Sequence, residues 1–200
     1  MTAASVDATR RGRPRRAETD EAVNAATRRL LAEVGYGDLT VEAVAKLAGV
    51  GKPTVYRRHG SKAELVAAAL LDELRTANPT APTSGDVAAD ARELLGNLAT
   101  LLSTTDFGRA ITEIVSPANR EAHLADLFDT IVGQRRELIR SVMRRADEQH
   151  RLLATDVETA IDLALGAIYF RHLISHDSLD TAFVTAVVAS VIAPKATRRR

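Results

Sequence analysis

The sequence contains no cysteine, and this absence excludes several kinds of chemistry. Without thiols the chain forms no disulfide bond, has no cysteine nucleophile and offers no thiolate ligand to a metal. A long apolar run is also missing, because the most apolar stretch, AFVTAVVASVIAP (182–194), is too short to cross a bilayer. The arginines near the N-terminus lead into no apolar core of the kind that a secretory signal has. We therefore expect a cytoplasmic protein without a membrane partner.

The alternation of apolar and polar residues that marks a half-buried strand is absent over any useful length, and no internal repeat is found. Apolar residues recur instead every three or four positions, which is the spacing of one helix face. We therefore predict an all-α fold with about nine helices. The predicted helices run from Glu18 to Gly35, after Thr40, from Gly51 to about His59, after Ser61, and over residues 87–103, 107–115, 120–150, 157–175 and 180–192.

Positive charge is concentrated near the start of the chain. Residues 1–62 carry 12 Lys and Arg against 7 Asp and Glu, whereas residues 63–200 carry 15 against 19. Such an asymmetry is typical of a polyanion-binding unit attached to an acidic body. Charge and turn composition together predict a disordered basic arm (1–17), a first helical unit (18–76), a connection rich in Pro, Ser and Thr (77–86), a second helical unit (87–194) and a basic tail (195–200).

The stretch AGVGKPTVYRRHGSK (48–62) contains residue types that also build phosphate-binding loops. A Walker A loop has the pattern G-x-x-x-x-G-K-[ST], in which backbone amides surround the phosphates and the last hydroxyl binds magnesium. Here Lys46 stands at the position of the first glycine and Pro53 at that of the hydroxyl. The preceding residues also have helical rather than strand periodicity, so we reject a nucleotide site.

A helix-turn-helix explains more of the same stretch. Two short helices joined by a tight turn containing glycine place the second helix across the first, where its side chains can enter the major groove of DNA. Gly49 is the turn residue, and Ala45 and Val50 are small and apolar where the helices must approach. The polar residues of the second helix are then expected to face outward: Lys52, Thr54, Arg57 and Arg58.

Residues from about Thr19 to Leu74, and especially GYGDLTVEAVAKLAGVGKPTVYRRHGSKAELV (35–66), resemble the DNA-binding domain of the TetR/AcrR family of bacterial transcriptional regulators. The resemblance implies that residues 18–76 form a DNA-binding domain of three helices plus a connecting helix, and that residues 87–194 form a ligand-binding and dimerisation domain. Two positions depart from the family pattern. Gly51 replaces the usual serine N-cap, and His59 replaces the Phe or Trp that packs under the recognition helix.

The resemblance also implies which side chains contact DNA. Thr40 and Lys62 lie at or near helix N-termini, where phosphates are favoured. Base edges would be approached by Lys52, Pro53, Thr54 and Val55, phosphates would be held by Thr40, Tyr56 and Lys62, and Arg57 would do either. The alternative to these contacts is that Tyr56 belongs to the core and that Arg57 and Arg58 only solvate a surface.

The basic arm contains R-G-R-P, which resembles the core of an AT-hook. Arginines of such a segment can enter a narrow minor groove, so Arg11, Arg13, Arg15 and Arg16 are candidate DNA contacts. The alternative, which we favour for sequence specificity, is a solvated tail that adds only salt-sensitive attraction to any DNA.

The last two predicted helices are apolar over more of their circumference than one neighbour covers. The resemblance implies that they pair with their copies in a second subunit as a four-helix bundle, which gives a twofold dimer. The residues predicted at this interface are Ile161, Leu165, Ile168, Phe183, Val184, Val187, Val188 and Val191.

A regulator of this family would bind a small-molecule effector among the middle helices. For the apolar candidates, a role in the core is the competing interpretation. Arg135, Tyr169 and His172 are more informative, because polar groups that face a helical interior need partners. The candidate lining residues are Leu98, Leu102, Phe107, Ile111, Phe128, Val132, Arg135, Tyr169 and His172.

The sequence also bears on two other classes of function, a metal-dependent enzyme and a dimerisation protein. A metal-dependent enzyme would use His172 and His176, which lie four residues apart, but the general-base glutamate of H-E-x-x-H is missing and no G-x-S-x-G occurs. A dimerisation protein that does not bind DNA conflicts with the outward basic helix. We therefore predict no enzyme, cofactor or metal, and expect a homodimeric repressor that binds a near-palindromic DNA operator and is released by an effector.

Overall fold

A computed structural model describes residues 12–154 and 156–194, with side chains from Ala17 onward except at residue 123. Within these ranges the chain is helical, which confirms the all-α prediction. A π-helical turn, Arg171–Ser175, continues the eighth helix. The helices described are α1 (Gly12–Asp38), α2 (Val41–Leu47), α3 (Lys52–Tyr56), α4 (Lys62–Ala77), α5 (Val87–Thr104), α6 (Asp106–Ala118), α7 (Ala122–Glu148), α8 (Val157–Phe170) and α9 (Thr181–Val191).

Side chains cap α2 and α4 at Thr40 and Ser61, the residues after which these two helices are predicted to begin. Thr40 accepts a hydrogen bond from the Ala43 amide at 3.1 Å and so starts α2. Ser61 accepts from the Glu64 amide at 3.1 Å, and the Glu64 carboxylate accepts from the Gly60 amide at 2.9 Å. Each such cap stabilises its helix by about 1 kcal/mol. These contacts fix where α2 and α4 begin.

The first helix begins earlier than predicted. Helix α1 already includes residues 12–17, so the expectation of a disordered arm reaching residue 17 is wrong for this part. Arg13, Arg15 and Arg16 thus lie on helical backbone, while Arg11 lies outside the described residues. The break at Gly35 occurs as expected, since its φ of 75° and ψ of 173° interrupt the helix before a last turn.

The N-terminal unit is joined to the rest of the chain by two long helices. Helices α1 and α4 pack against each other and enclose a core with α2 and α3, and they also contact α6 and α7. Residues 78–86 then lead from α4 to α5. Helices α1 and α4 therefore belong to both contact regions.

Helix α5 lies at the centre of the C-terminal unit. It contacts α6, α7, α8 and α9, and Leu94, Leu95 and Leu98 on it are fully buried. The end of α9 is held against the loop after α7, since the Ala193 amide donates to the Arg151 carbonyl at 2.7 Å. None of the described helices is both long and apolar enough to span a membrane.

Candidate DNA-binding surface and effector cavity

Helices α2 and α3 form a helix-turn-helix. Residues 48–51 join them, and Gly49 has a φ of 67°, a left-handed conformation that favours glycine. The Val50 amide donates to the Ala45 carbonyl at 3.0 Å, which closes the turn. Val44 on α2 and Val55 on α3 are both fully buried between the helices and α1. The turn and this small core fix the direction of α3.

The opposite side of α3 faces solvent. Lys52, Pro53 and Tyr56 are exposed, Tyr56 by 46%, and Arg57 follows at the end of the helix. Thr54 is half-buried at the edge of this surface. The Arg57 guanidinium has no ion pair or hydrogen bond with any residue in the described ranges. Short polar and basic side chains on an exposed helix of this kind fit a major groove.

Two side chains of the same segment do not face outward as expected. Val55 is only 1% exposed and packs in the core of the N-terminal unit, so its predicted approach to base edges is wrong. Arg58 turns back to form an ion pair with Asp20 on α1, and its side chain is 17% exposed. Val55 thus lies on the inner side of α3, and Arg58, in the turn after the helix, points toward α1.

Thr40 and Lys62, the predicted phosphate contacts, lie at the ends of this surface. Thr40 accepts from the Ala43 amide, which leaves its hydroxyl proton available to a phosphate oxygen. The Lys62 ammonium donates to the carbonyls of Tyr36 at 2.7 Å and Gly37 at 3.1 Å, and lies 4.4 Å from the centre of the Tyr36 ring. Lys62 therefore ties the end of α1 to α4, and its contact with phosphate stays a prediction.

Lys52 is paired across the helix-turn-helix with Glu42 on α2. The hydrogen bond from Lys52 lowers the pKa of the Glu42 carboxyl, and the same bond raises the pKa of Lys52. The ammonium also lies 5.5 Å from the centre of the Tyr56 ring. In the absence of DNA, then, the first basic side chain of α3 has its charge partly neutralised.

Replacing Glu42 with glutamine should strengthen binding to duplex DNA, because it frees Lys52 and removes a carboxylate from the surface that faces phosphates. An exposed ion pair is weak because water screens it, so we expect the Kd for a random duplex to fall only about two- to fivefold at low salt. Fluorescence anisotropy at several salt concentrations measures this change. The matched control is Glu33→Gln, which frees Arg29 on the side of α1 that faces Asp106 of α6, and should leave the Kd unchanged. If Glu42→Gln left the Kd unchanged or raised it, Lys52 would not lie at the DNA.

A cavity of about 340 Å³ lies between α6, α7 and α8. Its volume is in the range of small-molecule sites, and its wall is mainly apolar. Four residues predicted to line an effector site are on this wall: Ile111, Phe128, Val132 and Tyr169. The prediction missed the others, which are Val115, Ile131, Arg136, Asp162, Leu165, Gly166 and Leu173.

The remaining predicted lining residues lie elsewhere. Leu98 and Phe107 are fully buried in the core, and Leu102 borders a separate cleft beside Arg28. His172 is taken by a contact within the subunit, since its Nε2 lies 2.8 Å from the Gly108 carbonyl oxygen. Helical periodicity identifies residues that face inward, but it does not distinguish a packed interior from a cavity wall.

The predicted dimer interface is also wrong for most of its residues. The reason is that the apolar stripe of each terminal helix packs against α5 and against the other terminal helix. Phe183 is half-buried, with the Arg171 guanidinium 3.7 Å from the centre of its ring. The residues buried inside the subunit are Ile161, Leu165, Ile168, Val184, Val187, Val188 and Val191.

A different apolar surface of α8 and α9 is exposed. Leu163, Phe170 and Ile174 are exposed by 53%, 58% and 65%. With Ala167 they follow a spacing of four, three and four residues, which is one stripe of a helix surface. Exposed Ala182, Ala186 and Ala189 lie at helical spacing on one face of α9. We call these seven residues the terminal-helix stripe.

Comparison with known proteins identifies the whole arrangement. A family model described as bacterial regulatory proteins, tetR family, matches residues 24–69, and one described as a tetracyclin repressor-like C-terminal domain matches residues 81–191. The HTH-type transcriptional regulator YdeS of Bacillus subtilis is 30% identical over 181 residues, which cover 90% of each chain. The chain belongs to the TetR family of transcriptional regulators.

Solved structures agree with this membership. The TetR family transcription regulator SCO0332 is 34% identical, with a TM-score of 0.64 over 86% of this chain and 95% of that chain. FadR from Bacillus subtilis, solved in complex with stearoyl-CoA, has the same fold, with a TM-score of 0.71 at 14% identity over 86% of this chain and 97% of that one. As a TetR-family regulator the chain is not an enzyme, which removes the metal-enzyme alternative.

The histidine pair considered for a metal has other contacts. His176 Nδ1 lies 3.1 Å from the His172 carbonyl oxygen, while His172 faces Gly108. Across the parts of the chain that the structure describes, no three or more His, Asp or Glu side chains are grouped to hold an ion.

The two departures from the TetR pattern have local consequences only. Gly51 starts α3 without a side-chain cap, and Pro53 stands in the first turn, where the missing amide hydrogen costs nothing. His59 is half-buried, and burial lowers its pKa below the usual value, against the opposing charge of Asp20. An imidazole with a lowered pKa is neutral at pH 7, so His59 can pack where the family usually has an aromatic ring.

Proposed function

We propose that this TetR-family regulator is a repressor that binds a near-palindromic operator as a homodimer and is released by a small-molecule effector. The observation that carries the proposal is the exposed side of α3, where Lys52, Pro53, Tyr56 and Arg57 face solvent. Such a surface reads the major groove while Thr40 at the start of α2 holds a phosphate. The regulator acts where the DNA is, in the cytoplasm.

The terminal-helix stripe supports the homodimer. Large apolar side chains such as Phe170 and Ile174 are costly in water when they form a continuous surface. Pairing α8 and α9 with their copies covers both stripes, and the alanines of α9 allow close approach. A twofold axis then presents two copies of α3, which suits successive major grooves roughly 34 to 36 Å apart.

The cavity between α6, α7 and α8 supports an effector. Its volume of about 340 Å³ suits a small apolar molecule, and it adjoins α6 and α7, which contact α1 and α4. FadR of the same fold was solved with stearoyl-CoA. An occupant that pushes α6 or α7 would shift α1 and α4, and with them the position of α3, which gives release from the operator a physical route.

The function is tested by binding to the DNA that flanks the protein's own coding region. We expect a specific gel shift that scrambled DNA does not compete away. Arg57→Ala should weaken it about tenfold and reduce the salt dependence by about one phosphate contact. Arg144→Ala is the matched control, because this arginine is exposed on α7, outside the N-terminal unit. Equal losses for both variants, or no specific shift at all, would contradict the proposed binding surface.

A further inference from the structure

Two neighbouring arginines of α7 differ sharply in their partners. Arg136, at the mouth of the cavity, forms ion pairs with Asp162 and, at 2.8 Å, with Glu158. Arg135 is 3% exposed and has no carboxylate within ion-pair distance among the described residues. It donates instead to the Leu94 carbonyl, and its Nε is buried without a partner. One of the two positive charges is therefore neutralised within the subunit and the other is not.

The charge of Arg135 persists in this buried position. Burial lowers the pKa of its guanidinium to about 10, which still leaves the group protonated at neutral pH. A buried cation without a counter-ion is costly, because carbonyl oxygens replace only part of its hydration. A void of about 20 Å³ beside Arg135 has room for one water at most. Such a water would give the Nε a partner, but it would not balance the charge.

Arg135 does not itself line the proposed effector cavity, but residues close to it on α7 and α8 do. Phe128 and Val132, which line the cavity, precede it by seven and three residues and so lie on the same face of α7. Tyr169 also lines the cavity, and burial of its hydroxyl raises its pKa while the nearby charge of Arg135 opposes the rise. The hydroxyl has no hydrogen-bond partner within the described ranges. Tyr169 therefore separates the apolar cavity from an unbalanced positive charge.

We propose that the effector is an amphipathic carboxylic acid, whose apolar body occupies the cavity and whose carboxylate reaches Arg135 and the Tyr169 hydroxyl. This inference rests on the proposed function, since it names the chemical class of the effector. The carboxylate supplies the missing counter-ion and an acceptor for the unpartnered donors. Charge-assisted hydrogen bonds of this kind are about twice as strong as neutral ones.

The same arginine connects the cavity to the end of α4. With the Asn78 amide oriented so that its oxygen faces Arg135, the Nη1 to Oδ1 distance is 2.6 Å. Asn78 is the C-terminal cap of α4, and it is buried. A carboxylate that draws the guanidinium toward the cavity competes with Asn78 and with Leu94 for the same donors. Binding of the acid should therefore loosen the end of α4 and weaken operator binding.

The test uses N-phenyl-1-naphthylamine, a neutral dye that fluoresces in apolar surroundings, as the reporter of the cavity. Decanoate and decan-1-ol, which differ only at the head group, are compared as competitors at neutral pH. In the wild type we expect decanoate to displace the dye at a concentration lower by about tenfold or more. Arg135→Met should abolish this preference and keep dye binding, whereas Arg144→Met, the matched control on the same helix, should retain the preference because Arg144 is exposed and lies outside the cavity wall.

The outcomes separate the inference from the proposed function. Equal displacement by the acid and the alcohol would overturn the inference and leave the effector cavity standing. A dye that does not bind, or that neither competitor displaces, would overturn the effector cavity itself. A preference that a folded Arg135→Met retains, or that Arg144→Met loses equally, would also overturn the role of Arg135. If Arg135→Met failed to fold, Arg135→Gln offers the Leu94 carbonyl an uncharged donor, and an unchanged acid preference in that folded variant would be decisive against the inference.

Discussion

Replacing Phe170 with glutamate should convert the proposed dimer into a monomer. Phe170 is 58% exposed at the middle of the terminal-helix stripe, so a carboxylate is tolerated in the free subunit but not against a second copy. A monomer engages one half-site and loses the gain from binding both, which weakens operator binding about a hundredfold or more. Sedimentation velocity gives the oligomeric state, and a gel shift with the flanking DNA gives the affinity.

Two further variants make this result interpretable. Ala186→Arg places a charge on the α9 half of the stripe and should have the same effect through a different helix. Asp129→Arg introduces the same side chain at an exposed position of α7 outside the stripe, and should leave the protein dimeric. A protein that stays dimeric with glutamate at residue 170 and arginine at residue 186 would exclude this surface as the interface. Val188 is unsuitable for such a test, because its side chain is buried inside the subunit and a charge there would unfold the protein.

Val188 also shows what a single sequence does and does not determine. The spacing of Val184, Val187, Val188 and Val191 correctly indicates a buried face of α9. The hydrophobic pattern does not indicate which surface covers this face. In the structure, α9 packs against α5 of the same subunit. The candidate interface proposed here was inconspicuous, since four of the seven residues of the stripe are alanines, which contribute weakly to any apolar pattern.

The local features that depend on neighbouring residues were predictable. The caps at Thr40 and Ser61 and the turn at Gly49 follow from side-chain chemistry within a few positions, and the structure has them. The inward orientation of Val55 was not predicted, because the resemblance to the family assigned a DNA contact to every consecutive residue from Lys52 to Tyr56. A helix of five residues still has an inner side, and every third or fourth residue must lie on it.

The lack of an ion pair at Arg135 could not be predicted from the sequence, for a related reason. Its position predicts a polar group that faces the interior, as the structure has it. Whether a carboxylate pairs with it depends on residues distant in the chain, and Glu158 and Asp162 of α8 pair with the neighbouring Arg136. A difference of one residue on α7 thus decides which arginine is neutralised.

Asp90→Ala should cause the largest loss of stability among single changes outside the main core. Asp90 is 1% exposed near the start of α5, and accepts hydrogen bonds from the Ser84 amide at 3.0 Å and from Arg145 at 2.8 Å. Arg145 also donates to the Pro82 carbonyl at 2.6 Å, so one ion pair holds the connection between α4 and α5 against α7. Removing the acid leaves Arg145 and the Ser84 donors without their acceptor, at a cost of about 3 kcal/mol.

Urea unfolding at fixed protein concentration measures this cost, since the stability of the proposed dimer would depend on concentration. Asp147→Asn, at an exposed position of α7, is the control for removing one negative charge and should change the free energy of unfolding by less than about 0.5 kcal/mol. If Asp90→Ala cost no more than this control, the ion pair would not be what holds residues 78–86 in place.

The contribution of Asp90 should also depend on pH in a defined direction. Burial alone would raise the pKa of its carboxyl, but the hydrogen bonds from Ser84 and the pairing with Arg145 together lower it. The unfolded chain therefore binds the proton more readily than the folded protein does, and acid favours unfolding. The stabilisation by Asp90 is complete above the ordinary pKa of an aspartate and is lost as pH falls through the lowered one. The difference in unfolding free energy between the wild type and Asp90→Asn should accordingly be constant near neutral pH and shrink below about pH 4, the ordinary aspartate value. A difference that stayed constant in acid would mean that the carboxylate charge contributes nothing to holding the connection.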